Sequence, residues 1–196
     1  MNPMKETIMR KCRESMDQKE SFFEENADKI VKLAEDMAKA FNSGNKLLVM
    51  GNGGSACDAQ HVAVEFLHPI IEKRRPLPAI ALNTDVATMT AIGNDKDFSM
   101  VFSDQVKLLG REGDMALGIS TSGKSPNVLR ALKAAKEMGM LTIGFAGKDG
   151  GQMPDVSDYC FVVPTFSIHR IQETQETLLH IMWDMVHVVM GEEDII

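Results

Sequence analysis

The chain has 196 residues, 44% hydrophobic and 25% charged, with 15 glycines and 7 prolines. Those are the averages of a globular domain, and they exclude collagen-like, low-complexity and disordered chains. The formal charge of −7 argues against a basic nucleic-acid-binding surface but leaves an anionic small molecule open, because a few oriented N–H groups can hold a phosphate whatever the net charge.

The length suits one domain over residues 1–196, with N-terminal helices over 1–44 and an α/β body over 45–196. No apolar run approaches the ~18 residues of a membrane span. The start, MNPMKETIMRKCRESMDQKE, lacks the apolar core of a signal peptide, so no membrane partner is expected and the expected location is cytoplasmic. Three cysteines, Cys12, Cys57 and Cys160, are odd in number and far apart, which fits a reducing compartment. The 15 methionines fall on apolar faces and read as core filler rather than metal ligands.

Ile8, Cys12 and Met16 recur every four residues, and Ile30, Leu33, Ala34, Met37, Ala38 and Phe41 form a stronger apolar stripe. This pattern predicts two helices, the second ending at Ser43-Gly44-Asn45. The period then changes to short apolar runs at Leu47–Met50, Ala79–Leu82, Met115–Ile119, Leu141–Phe145 and Tyr159–Val163. Helical segments lie between and after them, near 56–67, 86–109, 126–138 and 170–189. Unbroken apolar runs suit strands buried on both faces, and strand–helix alternation implies right-handed parallel crossovers. The expected fold is α/β: a five-stranded parallel sheet with helices on both faces, a flavodoxin-like three-layer αβα sandwich with an N-terminal helical extension. Ligands in such sheets sit at the carboxyl ends of the strands.

The first strand ends in Gly51-Asn52-Gly53-Gly54-Ser55, and Ser55 with Asp58 fits a capping box. The spacing Gly51-x-Gly53-x-x-Ala56 also matches the dinucleotide fingerprint, which needs an acidic residue closing the second strand ~20 residues on. That strand ends Leu82-Asn83-Thr84, with Asp85 too late and HPIIEKRRP intervening. The third strand ends in Ser120-Thr121-Ser122-Gly123-Lys124-Ser125-Pro126, where Ser125 and Pro126 suit the N-cap and first position of a helix. Its hydroxyls and N–H groups make a phosphate cradle. Gly118-x-x-x-x-Gly123-Lys124-Ser125 spells a Walker A motif, but Gly118 lies inside the strand and no later strand ends in a magnesium-holding Asp. Either loop alone would read as an ordinary strand-to-helix turn. Two at neighbouring strand ends point to an anion site.

His61 and Glu65 share a helical face, and Gln172, Glu176 and His180 recur at fours on the last helix. Each stripe alone reads as a polar seam. Together, His61, Glu65 and His180 can flank a phosphate-anchored substrate and move protons between adjacent carbons. Two imidazoles with a carboxylate and an amide oxygen equally suit zinc, and spacing does not choose. His68, His169 and His187 have no comparable partners in the sequence.

The ordered motifs MGNGGSACDAQH…E, AIALNTDVATMTAIGND, GISTSGKSPNV, FAGKDGG and RIQE…H resemble the sugar isomerase (SIS) superfamily, and more closely its phosphoheptose isomerase branch, over essentially the whole chain. The resemblance implies a sugar-phosphate substrate contacted by Asn52, Gly53, Gly54, Ser55, Glu65, Asn94, Asp95, Ser120, Thr121, Ser122, Ser125 and Gln172. It implies Glu65 and His180 as the acid–base pair, and His61, Glu65, Gln172 and His180 as ligands of one zinc ion per site. The family reaction interconverts sedoheptulose 7-phosphate and D-glycero-D-manno-heptose 7-phosphate through an enediolate, a step towards lipopolysaccharide heptose. Other readings are isomerisation of another sugar phosphate, or a non-catalytic SIS regulator of a replication initiator protein.

Three positions depart from the branch pattern. Phe66-Leu67-His68-Pro69 stands where a stretch ending Gly-Arg usually follows the glutamate, leaving Arg74 or Arg75 as the substitute cation; His169 precedes Arg170; and Lys124 stands in the phosphate loop. The family also implies a homotetramer. Gln172 and His180 lie ~12 Å apart along one helix axis, so either the helix starts after Gln172, or sites are shared between chains with His180 crossing a subunit interface.

Overall fold

A strand buried on both faces cannot alternate polar and apolar residues, and two strands of this protein meet that condition at every position: β1 (Leu47–Gly51) and β3 (Met115–Ser120). In the computed structural model, which describes residues 2–70 and 74–194, they are central neighbours. With β2 (Ala79–Ala81), β4 (Leu141–Gly147) and β5 (Tyr159–Val163) they form one sheet in the order β2-β1-β3-β4-β5. Every pairing is parallel. The α/β sandwich expected from the sequence is the observed fold.

Seven helices complete the chain among the described residues: α1 (Pro3–Asn42), α2 (Gly54–Leu67), α3 (Val86–Asp95), α4 (Ser103–Leu109), α5 (Pro126–Glu137), α6 (Met153–Val156) and α7 (Ile168–Val189). Alternate residues of β1 feed two separate cores. Leu47 and Val49 join Phe41 of α1, Phe66 of α2 and Trp183 of α7. Leu48 and Met50 join Phe102 at the cap of α4, Val106 of α4 and Leu132 of α5. One face of the sheet therefore rests on α1, α2 and α7, the other on α4, α5 and α6. None of the described helices is long and apolar enough to cross a membrane.

Two expected elements differ. The N-terminal pair is a single helix of 40 residues, opened by Asn2, whose side chain accepts from the Met4 N–H, with Pro3 in its first turn. Between the two apolar stripes the sequence is DQKESFFEEN, rich in Glu, Gln and Lys that favour helix, with no Gly or Pro to break it. Conversely, the single helix expected over 86–109 is split. Asp97 accepts from the Ser99 N–H and nucleates a 3-10 turn at Phe98–Met100 between α3 and α4, the local competition with helix that Asp favours.

Gly118 sits in mid-β3, where an added Cβ would come within 2.6 Å of Val128 Cγ1 and 2.9 Å of Leu132 Cδ1 on α5. The glycine serves close helix–strand packing, so it is no part of a nucleotide-binding loop. Gly118→Ala is expected to overpack this layer and destabilise the fold by about 1–3 kcal/mol, read as a lower midpoint in urea unfolding. An unchanged midpoint would show that α5 can retreat freely. Cysteine chemistry gives a second check. Cys12 and Cys57 are exposed, whereas burial pushes the Cys160 thiol up to about 11 against the opposing pull of Lys29. The reactive thiolate of Cys160 is thus absent until the pH rises towards that value. Alkylation of folded protein at pH 8 should label Cys12 and Cys57 and spare Cys160, as read by peptide mass; labelling of Cys160 at a similar rate would contradict this.

Candidate active site

The strand order reverses between β1 and β3, and ligands of open parallel sheets sit at such a switch point, beyond the carboxyl ends of the strands. Gly51 of β1 pairs with Ile119 of β3, so the two glycine-rich loops leave the sheet side by side. In the first loop, Gly53 has φ +58 and itself occupies the N-cap of α2 with no side-chain cap. This corrects the capping box: Ser55 is buried inside the first turn, and the Asp58 carboxylate turns elsewhere. The loop doubles back so tightly that a Cβ on Gly51 would overlap the Ser55 carbonyl.

In the second loop Ser125 is the N-cap of α5 and Pro126 follows, as expected, but the Ser125 hydroxyl makes no cap bond. It pairs instead with Ser120 Oγ at 2.9 Å, and Ser120 Oγ lies 3.5 Å from Ser122 Oγ. The Lys124 N–H donates to Ser122 Oγ at 3.2 Å. Three hydroxyls are gathered at a helix N-terminus whose cap side chain is occupied elsewhere, an arrangement suited to an anion. Thr121 is half-buried in the same turn. The segment after β4 braces this loop: the Gln152 N–H donates to the Gly123 carbonyl at 2.9 Å, and a Cβ on Gly123 (φ +62) would strike the Gly150 carbonyl. Lys124 pairs with Asp149 across an exposed 3.4 Å contact, and the Gly151 N–H, helped by Lys124, holds the Asp149 carboxyl below its usual range.

Asn127 was not singled out in the sequence. Its amide exchanges two hydrogen bonds of 2.9 Å with the Asn52 amide, joining the two loops, and it is only 2% exposed. Its one signal is its place directly after Ser-Pro at a helix start. Asn94 and Asp95 end α3 as exposed residues, and the Asn94 amide donates to the Asp95 carboxylate at 2.8 Å.

The ionisable groups stand between α2 and α7. His61 Nε2 lies 3.2 Å from Glu65 Oε1 and 3.2 Å from His180 Nε2, with the two imidazoles edge to face at 4.8 Å. One ligand atom from each of the three residues fits within a 4.8 Å cluster. Donors ~2.0–2.1 Å from a tetrahedral zinc are themselves about 3.3 Å apart, so the two 3.2 Å contacts match its edges, while the cluster as a whole, spanning up to 4.8 Å, would close slightly around an ion. The donor set fits a metal. All three residues come from one chain.

Gln172 stands at the first loop rather than beside the imidazoles. α7 begins at Ile168, upstream of it, and its amide packs against Gly54 at the first loop, ~12 Å along the helix from His180. Glu176, one turn before His180 on α7, also comes within 3.9 Å of His61 Nδ1. Asp58, one turn before His61, is a second unexpected member. Burial first, then the Glu176 charge, raises its carboxyl to about 6, with His61 opposing. Neither arginine of the 68–76 stretch reaches the serine loop, and residues 71–73 lie outside the described residues. Arg74 bonds Asp184, and Arg75 bonds Asn42 at 2.5 Å. His68 caps the end of α2, His169 is exposed, and His187 is buried against Glu192 at 2.9 Å.

Residues 12–147 match the SIS domain family. A phosphoheptose isomerase of Thermodesulfovibrio yellowstonii is 47% identical over 96% of this chain and 94% of its own length. One of Aquifex aeolicus is 46% identical over 96% and 99%. The solved structure of a phosphoheptose isomerase from Neisseria gonorrhoeae, 41% identical, superposes with a TM-score of 0.87 over 93% of this chain and 98% of its own.

Two tests follow from the geometry. Gly123→Ala must adopt a positive φ and displace the Gly150 carbonyl, a strain of about 1–3 kcal/mol. Inorganic phosphate is expected to bind at least about tenfold more weakly, and unchanged affinity by calorimetry would remove this loop as the anion site. For Asp58, a folded value near 6 against an ordinary 3.8 favours the folded state only while the group is protonated. That contribution is full below pH 3.8 and is lost as pH rises through 6. In chelator-treated protein, Asp58→Asn should therefore unfold at higher urea than the parent at pH 8 and at the same urea at acid pH. The reverse order would mean that Asp58 is held charged.

Proposed function

The chain belongs to the phosphoheptose isomerase family of SIS domains, and on that premise we propose how its residues serve the aldose–ketose isomerisation of sedoheptulose 7-phosphate. The observation that carries the reading is the seam between α2 and α7, which leads from a phosphate-type loop to a carboxylate set among imidazoles.

The substrate phosphate sits on Ser120, Thr121, Ser122 and Ser125 at the start of α5, where N–H groups and hydroxyls donate to it. Asn52, Gly53, Gly54 and Ser55 of the first loop and Gln172 beside them hold the sugar hydroxyls, with Asn94 and Asp95 at the outer rim. The reacting carbons then lie further along the seam. Glu65 takes a proton from C1 of the ketose while His180 protonates the C2 oxygen, giving an enediol. His180 then accepts the proton of the C1 hydroxyl and Glu65 returns its proton to C2, leaving the aldose. Each group ends as it began. Glu65 Oε1 is the oxygen turned towards His61, which leaves Oε2 for the proton.

His61, Glu65 and His180 would hold a zinc ion, while Gln172, packed at Gly54, serves the sugar. Such an ion supplies Lewis-acid polarisation of a carbonyl.

The chain also exposes apolar surface suited to copies of itself, and a homotetramer of D2 symmetry is the proposed assembly. Ile80 on the edge strand β2, Val86 on α3 and Ile8 on α1 are 40%, 67% and 61% exposed. A groove of about 820 Å³ between α2 and β2 includes both Ile80 and His61, so a second chain seated there would adjoin the site. The proposed location is the cytoplasm.

Sedoheptulose 7-phosphate incubated with the protein should yield the heptose phosphate, and Glu65→Gln should lower kcat by about 10²–10⁴-fold. Normal turnover in that variant would refute Glu65 as the base. Turnover of a different sugar phosphate alone would reassign the substrate, whereas none on any sugar phosphate, with capture of a replication initiator, would favour the regulator. Elemental analysis should find about one zinc per site, removable by chelator; no divalent metal even after zinc addition would exclude the ion.

A further inference from the structure

The Arg74 side chain is 1% exposed in the connector between α2 and β2. Burying a guanidinium is costly, and it keeps its proton under all ordinary conditions. Two groups on α7 hold it. The Asp184 carboxylate accepts from Nη2, and the Trp183 ring lies 4.6 Å from the guanidinium carbon. Nη2 also reaches the Glu193 carbonyl at 3.3 Å.

Trp183 and Asp184 are the third and fourth residues after His180, so they share its face of the helix. Glu65, His180, Trp183 and Asp184 also line one cavity of about 470 Å³. A planar cation bonded to one residue and stacked on its neighbour fixes the rotation of α7 about its axis, which a single contact would not. Stability alone does not account for the arrangement. Arg74 Nε and Nη1 and Trp183 Nε1 are buried without partners among the described residues, and well-packed apolar groups often serve as well as a buried ion pair or better. Rotational register, however, bears directly on His180. With a helix radius of about 5–6 Å including side chains, every 10° of rotation moves the imidazole by about 1 Å, and 1 Å of misplacement can cost about 10²-fold in rate.

We propose that Arg74 is a positioning residue that sets His180 against His61 and Glu65 by fixing the rotation of α7. The inference rests on the reading of His180 as the acid–base partner. Arg74→Met keeps the length and apolar stem and removes the cation. Its kcat should fall about 10–100-fold, while KM for the sugar phosphate changes less than about threefold, because the serine loop is untouched. Arg74→Lys keeps the charge but loses the planar fork, and should fold normally with an intermediate kcat. The double variant Arg74→Met/Asp184→Leu removes both buried charges. Its urea midpoint should recover to that of the parent or above while kcat stays low, the combination a merely structural residue would not give.

The proposal is overturned if Arg74→Met keeps the parental kcat, if its loss falls on KM alone, or if the double variant regains kcat together with stability. Should Arg74→Met not fold, a parental kcat in Arg74→Lys overturns it in the same way. His180→Gln, assayed alongside, separates the two ideas. If it is fully active, the role of His180 has failed and this proposal falls with it; if it is inactive while Arg74→Met is normal, only the positioning role has failed.

Discussion

A strand covered on both faces has no side left for polar chemistry, and this constraint shapes the whole molecule. β1 and β3 are buried at every residue, so hydroxyls, amides and charges collect where the backbone leaves the sheet and on the helices that follow. The strand-order reversal then puts two such exits next to each other. The reciprocal Asn52–Asn127 amide pair turns two separate loops into one rigid floor, and the Gly123–Gly150 contact braces it from the far side.

From that floor a line of polar side chains runs along the α2–α7 seam. Gln172 meets Gly54, Glu176 meets His61, and His180 meets His61 again one turn on. Contacts that advance in the same direction on both helices mean that the two run parallel, so their N-terminal ends both point towards the loops. Both positive dipole ends therefore face the loops, while the carboxylates stay further along. Glu176 adds negative charge beside the imidazoles, and burial first and that charge second make the Asp58 carboxyl resist ionisation.

The strands and their parallel order were legible because central strands cannot disguise their apolar runs. Helix boundaries were less so. The stretch joining the two stripes of α1 carries no breaker, so a gap in apolar periodicity looked like a gap in helix. At Asp97 a cap interrupted a pattern that periodicity alone carried through. His61 and Glu65 announced themselves by their four-residue spacing, and the serines by their crowding. Asp58 read as a helix cap and Asn127 did not stand out, for a common reason: their partners come from another element. Which residue of α7 faces His61 depends on the sliding register of two helices, and spacing within either helix says nothing of it. Arg74 looked like a spare cation for substrate because charge was legible and its buried partner Asp184 was not.

The first half of α1 places a condition on the rest. No described residue before Phe22 is buried, and a helix of about 20 residues without tertiary cover is marginal in water. Yet this arm is bonded to the start of α7, through Ser15 to Glu173 at 2.7 Å and from Arg170 to the Lys11 carbonyl at 2.7 Å. Those residues flank Gln172, which packs on the first glycine loop. Whatever covers the apolar stripe of Met4, Ile8 and Met16 therefore also steadies the loop, and if the cover is another copy, mass action enters the chemistry. Dilution would then loosen the arm before the core, and the catalytic competence of a single fold would become a function of how many of its neighbours are present.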